Sequence, residues 1–510
     1  MTRAEFLRAI GAGLAVRPRR PNVLFIAVDD LRPELGVYGA GHVKSPHIDA
    51  LGRSGTVFTR AYCQQALCNP SRASMLTGLR PDTLRVWNLQ TDFRTTRPDA
   101  VTLPQRLKQN GYHAVNVGKL FHNIFPDPVS FSEPDLRIPG YPFDPDAVYR
   151  SASEVAAIEA RKKQITAAGN QARHIDQYGE WYLKNNATEA PDVPDNAYFD
   201  GAQTDAAIAK LARLQKAGTP FFFGVGYYRP HLPFNAPKRY WDLYDREKIP
   251  LAPDPFLPDG AAPMGHNMNR ELRGYRDFAD APRPDQGPVT EAQARLLRHG
   301  YLASVSYVDA QIGRLLAALE RTGLAENTIV VLWGDHGWKL GEHNGWGKMT
   351  NHEIDTRVPL IVRAPGMRPG VCHGLVESVD IYPTVCELTG VERAAELEGQ
   401  SLVPLLRAPG RRGKSAVFSQ YLRDGIWVAP DGVPYMGYAI RTERYRYVEW
   451  NKWPEGTLVA KELYDLQRDP REDVNVAGRP EERAVMAGLA ARLRTGWRGE
   501  RFTDRTLRRR

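Results

Sequence analysis

Five short apolar runs constrain this chain more than any other feature: residues 23–28 (VLFIAV), 112–117 (YHAVNV), 221–225 (FFFGV), 328–333 (TIVVLW) and 358–362 (VPLIV). Runs of this length, rich in β-branched and aromatic residues, read as strands buried on both faces. Helical patterns alternate with them, which predicts an α/β fold. Tyr301, Val305, Val308, Ile312, Leu315 and Leu319 recur at helical spacing and read as core packing. Residues 195–217 also read as a helix, whereas 151–194 are polar and irregular. The Pro- and Gly-rich stretch 245–288 reads as long surface loops of the kind that shape a substrate pocket. Residues 407–414 (RAPGRRGK) read as a linker. Beyond it, 416–421, 436–441 and 445–450 are strand-like and a helix is expected around 481–493, which together predict a small antiparallel subdomain.

At 510 residues, with 42% hydrophobic and 25% charged, the chain can bury a large core, and disorder or coiled coil as the main architecture is excluded. The net charge of +9 sits on the ends: residues 1–20 carry +4 and 491–510 carry +6, leaving −1 for the middle. That distribution gives no basic face for nucleic acid. Four cysteines (Cys63, Cys68, Cys372, Cys386) make no disulfide framework and no zinc pair. Cys372 and Cys386 are left as either a pair or free buried thiols. No apolar run reaches the roughly 20 residues needed to span a bilayer. Residues 2–16 resemble a bacterial twin-arginine export signal without its second arginine and with the cleavage region cut short. The expected compartment is therefore periplasmic or secreted, with the cytoplasm as the alternative.

Four of the runs end in polar groups: Asp29-Asp30, Lys119 with His122, Arg229 with His231, and Asp335-His336. Ligands of open α/β sheets bind outside the carboxyl ends of strands, so these groups can converge on one mouth. Adjacent carboxylates on a regular strand face opposite ways, so Asp29 and Asp30 can meet only if the chain leaves the strand there. Three carboxylates without thiolates favour a hard divalent cation, Ca²⁺ or Mg²⁺. In the segment Cys68-Asn69-Pro70-Ser71-Arg72, Pro70 suits the first turn of a helix and Gly78 its end. Cys68 then lies at a helix N-terminus, either as an activated thiolate or as a buried capping residue.

The run C-x-P-S-R at Cys68–Arg72, continued as Ala73-Ser74-Met75-Leu76-Thr77-Gly78, resembles the sulfatase signature, with Asp29-Asp30 upstream and Asp335-His336 downstream. The resemblance spans residues 21 to about 475. It is closest to the iduronate-2-sulfatase branch through residues 29–33 (DDLRP), 64–66 (QQA), 228–234 (YRPHLPF), 252–260 (APDPFLPDG), 337–338 (GW), 340–343 (LGEH), 436–450 (MGYAIRTERYRYVEW) and His336. Residues 462–466 (ELYDL) and 469–470 (DP) resemble the closing motif of sulfatases generally. The disulfide cysteines of the mammalian branch have no counterparts, and one sequon stands at 186–188, which suits a bacterial relative.

The resemblance implies an alkaline-phosphatase-like sandwich: a large, mixed, mostly parallel sheet between helices. It also implies residues 1–20 as an N-terminal extension, 21–406 as the catalytic domain and 407–510 as a C-terminal subdomain with a basic tail. It implies that Cys68 is oxidised to Cα-formylglycine by a dedicated maturation enzyme, and that Asp29, Asp30, Asp335, His336 and residue 68 hold Ca²⁺, with Mg²⁺ as the alternative. In the implied reaction one hydroxyl of the aldehyde hydrate attacks sulfur, with Asp335 as its base. His231 protonates the leaving alcohol, and His122 takes the proton of the second hydroxyl as sulfate is expelled. Arg72 contacts the hydrate and a metal carboxylate, and Lys119 and Lys348 contact sulfate oxygens. Arg32 and His343 either touch substrate or brace the site. The implied substrate is a sulfated glycan, led by a uronate 2-O-sulfate. A phosphatase, phosphodiesterase or phosphonate hydrolase of the same superfamily is the alternative, and a non-catalytic glycan binder a third reading.

Overall fold

The apolar runs build a central sheet by strict alternation. In β1 (Asn22–Val28), Leu24, Ile26 and Val28 face one core, while Val23, Phe25 and Ala27 face another. The computed structural model describes residues 20–136, 138, 148–167, 185–425, 429 and 431–500, so the export-like segment and the terminal arginines lie outside the described residues. The other strands of the sheet are β2 (Thr56–Tyr62), β3 (His113–Gly118), β4 (Phe221–Tyr227), β5 (Thr328–Gly334), β6 (Arg357–Arg363), β7 (Gly370–Cys372) and β8 (Val376–Glu377). Their spatial order is β7-β2-β6-β5-β1-β4-β3, with β8 also beside β2. Every pairing is parallel except those of β6, which runs antiparallel to both β5 and β2.

This is the mixed, mostly parallel sheet expected, but β2 was not foreseen. Its sequence TVFTRAY breaks the apolar run with Thr59 and Arg60, which sit half-buried.

Helices cover both faces. On one face lie α1 (Pro46–Ser54), α5 (Phe199–Ala217) and the long α6 (Glu291–Arg321); on the other lie α2 (Cys68–Thr77), α3 (Leu103–Gln109) and α7 (Ile381–Thr389). The stripe from Tyr301 to Leu319 on α6 packs against the sheet, where each fully buried aliphatic side chain is worth about 1.5–3 kcal/mol. Residues 152–167 correct an expectation: α4 (Ala152–Ala167) is a helix where irregular chain was predicted. Its Ala, Glu, Lys and Arg residues favour helix, but they leave no apolar stripe for periodicity to reveal. Residues 245–288 are irregular and largely at the surface as expected, but Asp254, Asn267, Asn269 and Leu272 within them are buried.

The C-terminal sheet has four antiparallel strands, β9 (Ala416–Arg423), β10 (Tyr435–Thr442), β11 (Tyr445–Lys452) and β12 (Leu458–Asp465), covered by α8 (Arg483–Thr495). The stretch before it does not behave as a free linker. Lys414 is buried and its ammonium lies 2.6 Å from both Glu377 and Asp380. Glu353 forms a second anchor, taking Arg441 at 3.1 Å and Arg446 at 2.7 Å. Burial alone would raise the Glu353 carboxyl, but the two guanidiniums outweigh it and hold it at about 2. Cys63, Cys68, Cys372 and Cys386 are all free, buried thiols. Among the described residues, no helix is long and apolar enough to cross a membrane.

Candidate active site

Because β1, β2, β3, β4 and β5 run the same way, their carboxyl ends share one edge of the sheet. Asp29-Asp30 follow β1, Cys68 follows β2, Lys119 and His122 follow β3, His231 follows β4 and Asp335-His336 follow β5. Lys348 arrives on the connection from β5 to β6. This is where ligands of open α/β sheets collect.

The two adjacent carboxylates converge because Asp30 takes a left-handed backbone, φ 57°. That costs a non-glycine residue roughly 1–2 kcal/mol. The turn is pinned by Tyr301, whose hydroxyl donates to the Asp30 carbonyl (2.9 Å) and accepts from the Arg32 N–H (3.0 Å). At the end of β3, Gly118 (φ 76°) turns the chain where a Cβ would collide with the Gly226 carbonyl.

Cys68 opens α2, with Gly78 as its left-handed C-cap (φ 70°), as the sequence predicts. Its Sγ lies 3.5 Å from Asp29 Oδ1 and 3.3 Å from His336 Nε2. Burial, with Asp29 next, pushes the thiol well up. A buried thiol beside carboxylates is disfavoured as a thiolate nucleophile.

Arg72 is fully buried and ties the cluster together. Its Nη2 donates to Asp29 Oδ1 and its Nε to Asp335 Oδ2, each at 2.9 Å, while Nη1 donates to the Lys119 and Leu120 carbonyls. Lys119 Nζ lies 2.5 Å from Asp29 Oδ2, and Lys348 Nζ lies 2.9 and 3.0 Å from the two oxygens of Asp30. The two lysines thus pair with metal-type carboxylates, and an ammonium has three N–H donors to share. Burial raises the Asp29 carboxyl, but Lys119 and Arg72 hold it well below the usual range. Asp30 goes the other way: burial, then the neighbouring Asp29, Glu271 and Asp335 charges, outweigh Lys348 and push it well up.

The residues fit a hard divalent cation on a specific observation. His336 Nδ1 lies 3.0 Å from the Gly337 carbonyl, so that nitrogen carries the proton. Burial brings the ring down to about 4, so it is neutral and Nε2 presents a lone pair. That lone pair faces further electron-rich atoms: Asp30 Oδ1 at 3.4 Å, Asp335 Oδ2 at 3.6 Å and Cys68 Sγ at 3.3 Å. The Nε2 lone pair, the carboxyl oxygens and the residue-68 side chain converge on one point, and a divalent cation there would displace the protons of Asp30 and residue 68 and be coordinated by the set. Asp29, Cys68, Asp335 and His336 form one such group of potential ligand atoms, and Asp29, Asp30, Cys68 and His231 an overlapping one.

His231 and His122 flank this centre. The Nδ1 of His231 lies 2.6 Å from the Leu232 carbonyl and its Nε2 lies 3.1 Å from Glu271 Oε1 and 3.8 Å from Asp30 Oδ2. His122 is buried with neither ring nitrogen hydrogen-bonded, and burial together with Lys119 lowers it well below its usual value. Asp335 accepts from donors at both oxygens, from Arg72 at Oδ2 and from the Asp30 and His336 N–H groups at Oδ1. The carboxylate oxygen that meets the residue-68 side chain is Asp29 Oδ1.

Glu271 was missed. It bridges His231 and Lys348, with Oε2 3.3 Å from the Lys348 ammonium. It lies within the irregular 245–288 segment, where no motif or periodicity marks it. Arg32 braces the site from behind, pairing with Glu34 (2.5 Å) and Glu342 (2.9 Å). His343 belongs to a separate group with Asp254 and Asp473.

Comparison with known proteins agrees with this geometry. A family model described as Sulfatase matches residues 21–391, and one described as N-sulphoglucosamine sulphohydrolase, C-terminal, matches residues 341–498. The chain is 35% identical to human iduronate 2-sulfatase, over 89% of this chain and 90% of the relative. It is 31% identical to a sulfatase of Formosa agariphila, over 93% of this chain and 86% of the relative. Among solved structures, a protein in complex with its substrate D-glucosamine-2-N,6-O-disulfate aligns with TM-score 0.72 and 21% identity, covering 96% of this chain and 100% of its own. At that identity the likeness carries the fold alone, the alkaline-phosphatase-like sandwich. The chain belongs to the sulfatase family and is a sulfuric ester hydrolase.

Proposed function

We propose that the protein removes sulfate from a sulfated glycan, with a uronate 2-O-sulfate as the leading substrate. The observation that carries this reading is the convergence of Asp29, Asp30, Asp335 and His336 on the side chain of residue 68, with Arg72, Lys119 and Lys348 around them. The similarity to human iduronate 2-sulfatase over 89% of the chain supports the choice of sugar.

Asp29, Asp30, Asp335 and His336 would hold Ca²⁺, which supplies positive charge against the sulfate oxygens. Cα-formylglycine derived from Cys68 by a maturation enzyme would supply, as its hydrate, an oxygen nucleophile. The chain's own residues do the rest. Arg72 fixes Asp29 and Asp335 in place through its planar fork. Lys119 and Lys348 present N–H donors to the sulfate oxygens and offset charge that makes the ester resist attack. Asp335 accepts the proton of the residue-68 hydroxyl, with Asp29 Oδ1 the carboxylate oxygen that meets that side chain. As the doubly protonated ring, with Nδ1–H on the Leu232 carbonyl and Nε2–H facing Glu271, His231 delivers the Nε2 proton to the leaving alcohol. His122, neutral and unpartnered, accepts the proton released as sulfate departs.

The test is release of inorganic sulfate from a panel of defined disaccharides, beside an aryl sulfate, a phosphate monoester and a phosphodiester. The expected result is highest kcat/KM on the terminal uronate 2-O-sulfate, by about a hundredfold or more over N- and 6-O-sulfated glucosamine, since a site built for specific polar groups rejects analogues that leave them unpaired. Dominant turnover of the phosphoesters would replace this reading with the phosphohydrolase one. Binding of sulfated glycan without sulfate release would leave a non-catalytic binder.

A further inference from the structure

A second cluster of ligand-type side chains lies apart from the active-site carboxylates. Asp254 comes from the irregular segment 245–288, His343 from the turn after β5, and Asp473 from the chain that follows β12. His343 is 2% exposed; the Arg471 carbonyl stands beside its ring, and neither ring nitrogen hydrogen-bonds a side chain. Its Nε2 lies 3.6 Å from Asp254 Oδ2 and 3.6 Å from Asp473 Oδ1. Asp254 Oδ1 and Asp473 Oδ1 are also without hydrogen bonds. The cluster therefore buries a ring aimed at two carboxylates and bonded to neither.

A close ion pair does not account for it, because each carboxylate oxygen stands 3.6 Å from the ring Nε2. Direct hydrogen bonding does not account for it either, since 3.6 Å is beyond bonding distance. Spacings near 3.6 Å suit neighbouring ligands of a four-coordinate ion with bonds of about 2.0–2.2 Å. One imidazole with two carboxylates is a donor set for a borderline divalent cation of the zinc kind rather than for Ca²⁺.

We propose that Asp254, His343 and Asp473 form a second divalent-cation site, of zinc type, that clamps the segment after the C-terminal sheet to the catalytic domain. The backbone holds the site in register without the ion. Asp259 N–H donates to the Asp473 carbonyl (2.8 Å), Asn475 N–H donates to the Asp259 carbonyl (2.9 Å), and His343 N–H donates to the Asp254 carbonyl (2.9 Å). Asp473 Oδ2 is oriented by Arg471 at 3.1 Å, leaving Oδ1 for the cluster. Its side chain is 15% exposed, which gives the ion an entry path and a fourth position for water. The proposal is independent of the sulfatase reading, because it shares no ligand with the active site.

The experiment uses the full-length protein, stripped with a chelator and then saturated with Ca²⁺, which the carboxylate-rich active site prefers. Zn²⁺ is added, excess is removed by gel filtration, and bound metal is measured by elemental analysis. The expected result is one Zn²⁺ per chain retained in excess Ca²⁺. Asp335→Asn should keep it, whereas Asp473→Asn should weaken it about tenfold or more and His343→Gln should abolish it. Co²⁺ in the wild-type protein should give the visible absorption of a four- or five-coordinate nitrogen–oxygen site, a readout independent of whether any variant folds. Loss of Zn²⁺ from the wild type in Ca²⁺, as from a cluster bridged only by water, would overturn the proposal. So would undiminished Zn²⁺ in both folded cluster variants, or loss of Zn²⁺ on Asp335→Asn alone.

Discussion

Cys68→Ala is expected to lower sulfate release by about ten-thousand-fold or more while leaving the protein folded. The side chain stands at the one point that Asp29, Asp335 and His336 all face, so nothing nearby can replace the nucleophile derived from it. The structural cost is small, because alanine keeps the helix start and removes a single buried atom. Cys63 supplies the control. It is equally buried, five residues upstream, and burial likewise pushes its thiol well up. Cys63→Ala should retain kcat within about threefold, since it removes one buried neutral atom and no hydrogen bond or ion pair to an active-site side chain. Full activity in Cys68→Ala with a normal thermal melt would remove residue 68 from the chemistry. Equal loss in both variants would indicate general sensitivity of this core to repacking.

Arg72→Met is the second large effect, and it acts on stability as well as rate. Arg72 is fully buried between Asp29 and Asp335, with both ion pairs at 2.9 Å. Removing one partner of a buried ion pair leaves uncompensated charge, at a cost of about 3–5 kcal/mol. Here two carboxylates lose a partner together, and with it the orientation needed to hold a cation. The expected outcome is a lower urea midpoint, loss of bound Ca²⁺ and activity near background. Arg72→Lys should not rescue it, because an ammonium cannot span both carboxylates and two backbone carbonyls with a rigid fork. An unchanged urea midpoint with retained Ca²⁺ would show that the carboxylates do not depend on Arg72.

The sequence made the strands legible where apolar character was continuous, as in 23–28 and 328–333, and the α6 stripe where it was periodic. The strand β2 was not, because an arginine and threonines interrupt it near a sheet edge, where half-burial tolerates them. α4 was not, because a helix on the surface needs no apolar stripe. At the site, the adjacency of Asp29 and Asp30 already required an abrupt exit from the strand, and the left-handed Asp30 provides it. Glu271 was beyond reach: its contact with His231 and Lys348 arises from how an irregular segment folds over the sheet edge, which no local pattern encodes. The Asp254–His343–Asp473 cluster was hidden for the same reason, since its members lie far apart in sequence.

The central claim, that residue 68 acts as an aldehyde rather than as a thiol, is tested most directly by mass spectrometry of one tryptic peptide. Cleavage after Arg60 and Arg72 yields residues 61–72 (AYCQQALCNPSR), which carry both Cys63 and Cys68. In active protein made together with a formylglycine-generating enzyme, the account predicts one alkylated thiol, at Cys63. Residue 68 should have lost H₂S, gained one oxygen and become reactive toward hydroxylamine. Two alkylated thiols in this peptide from fully active enzyme would contradict it.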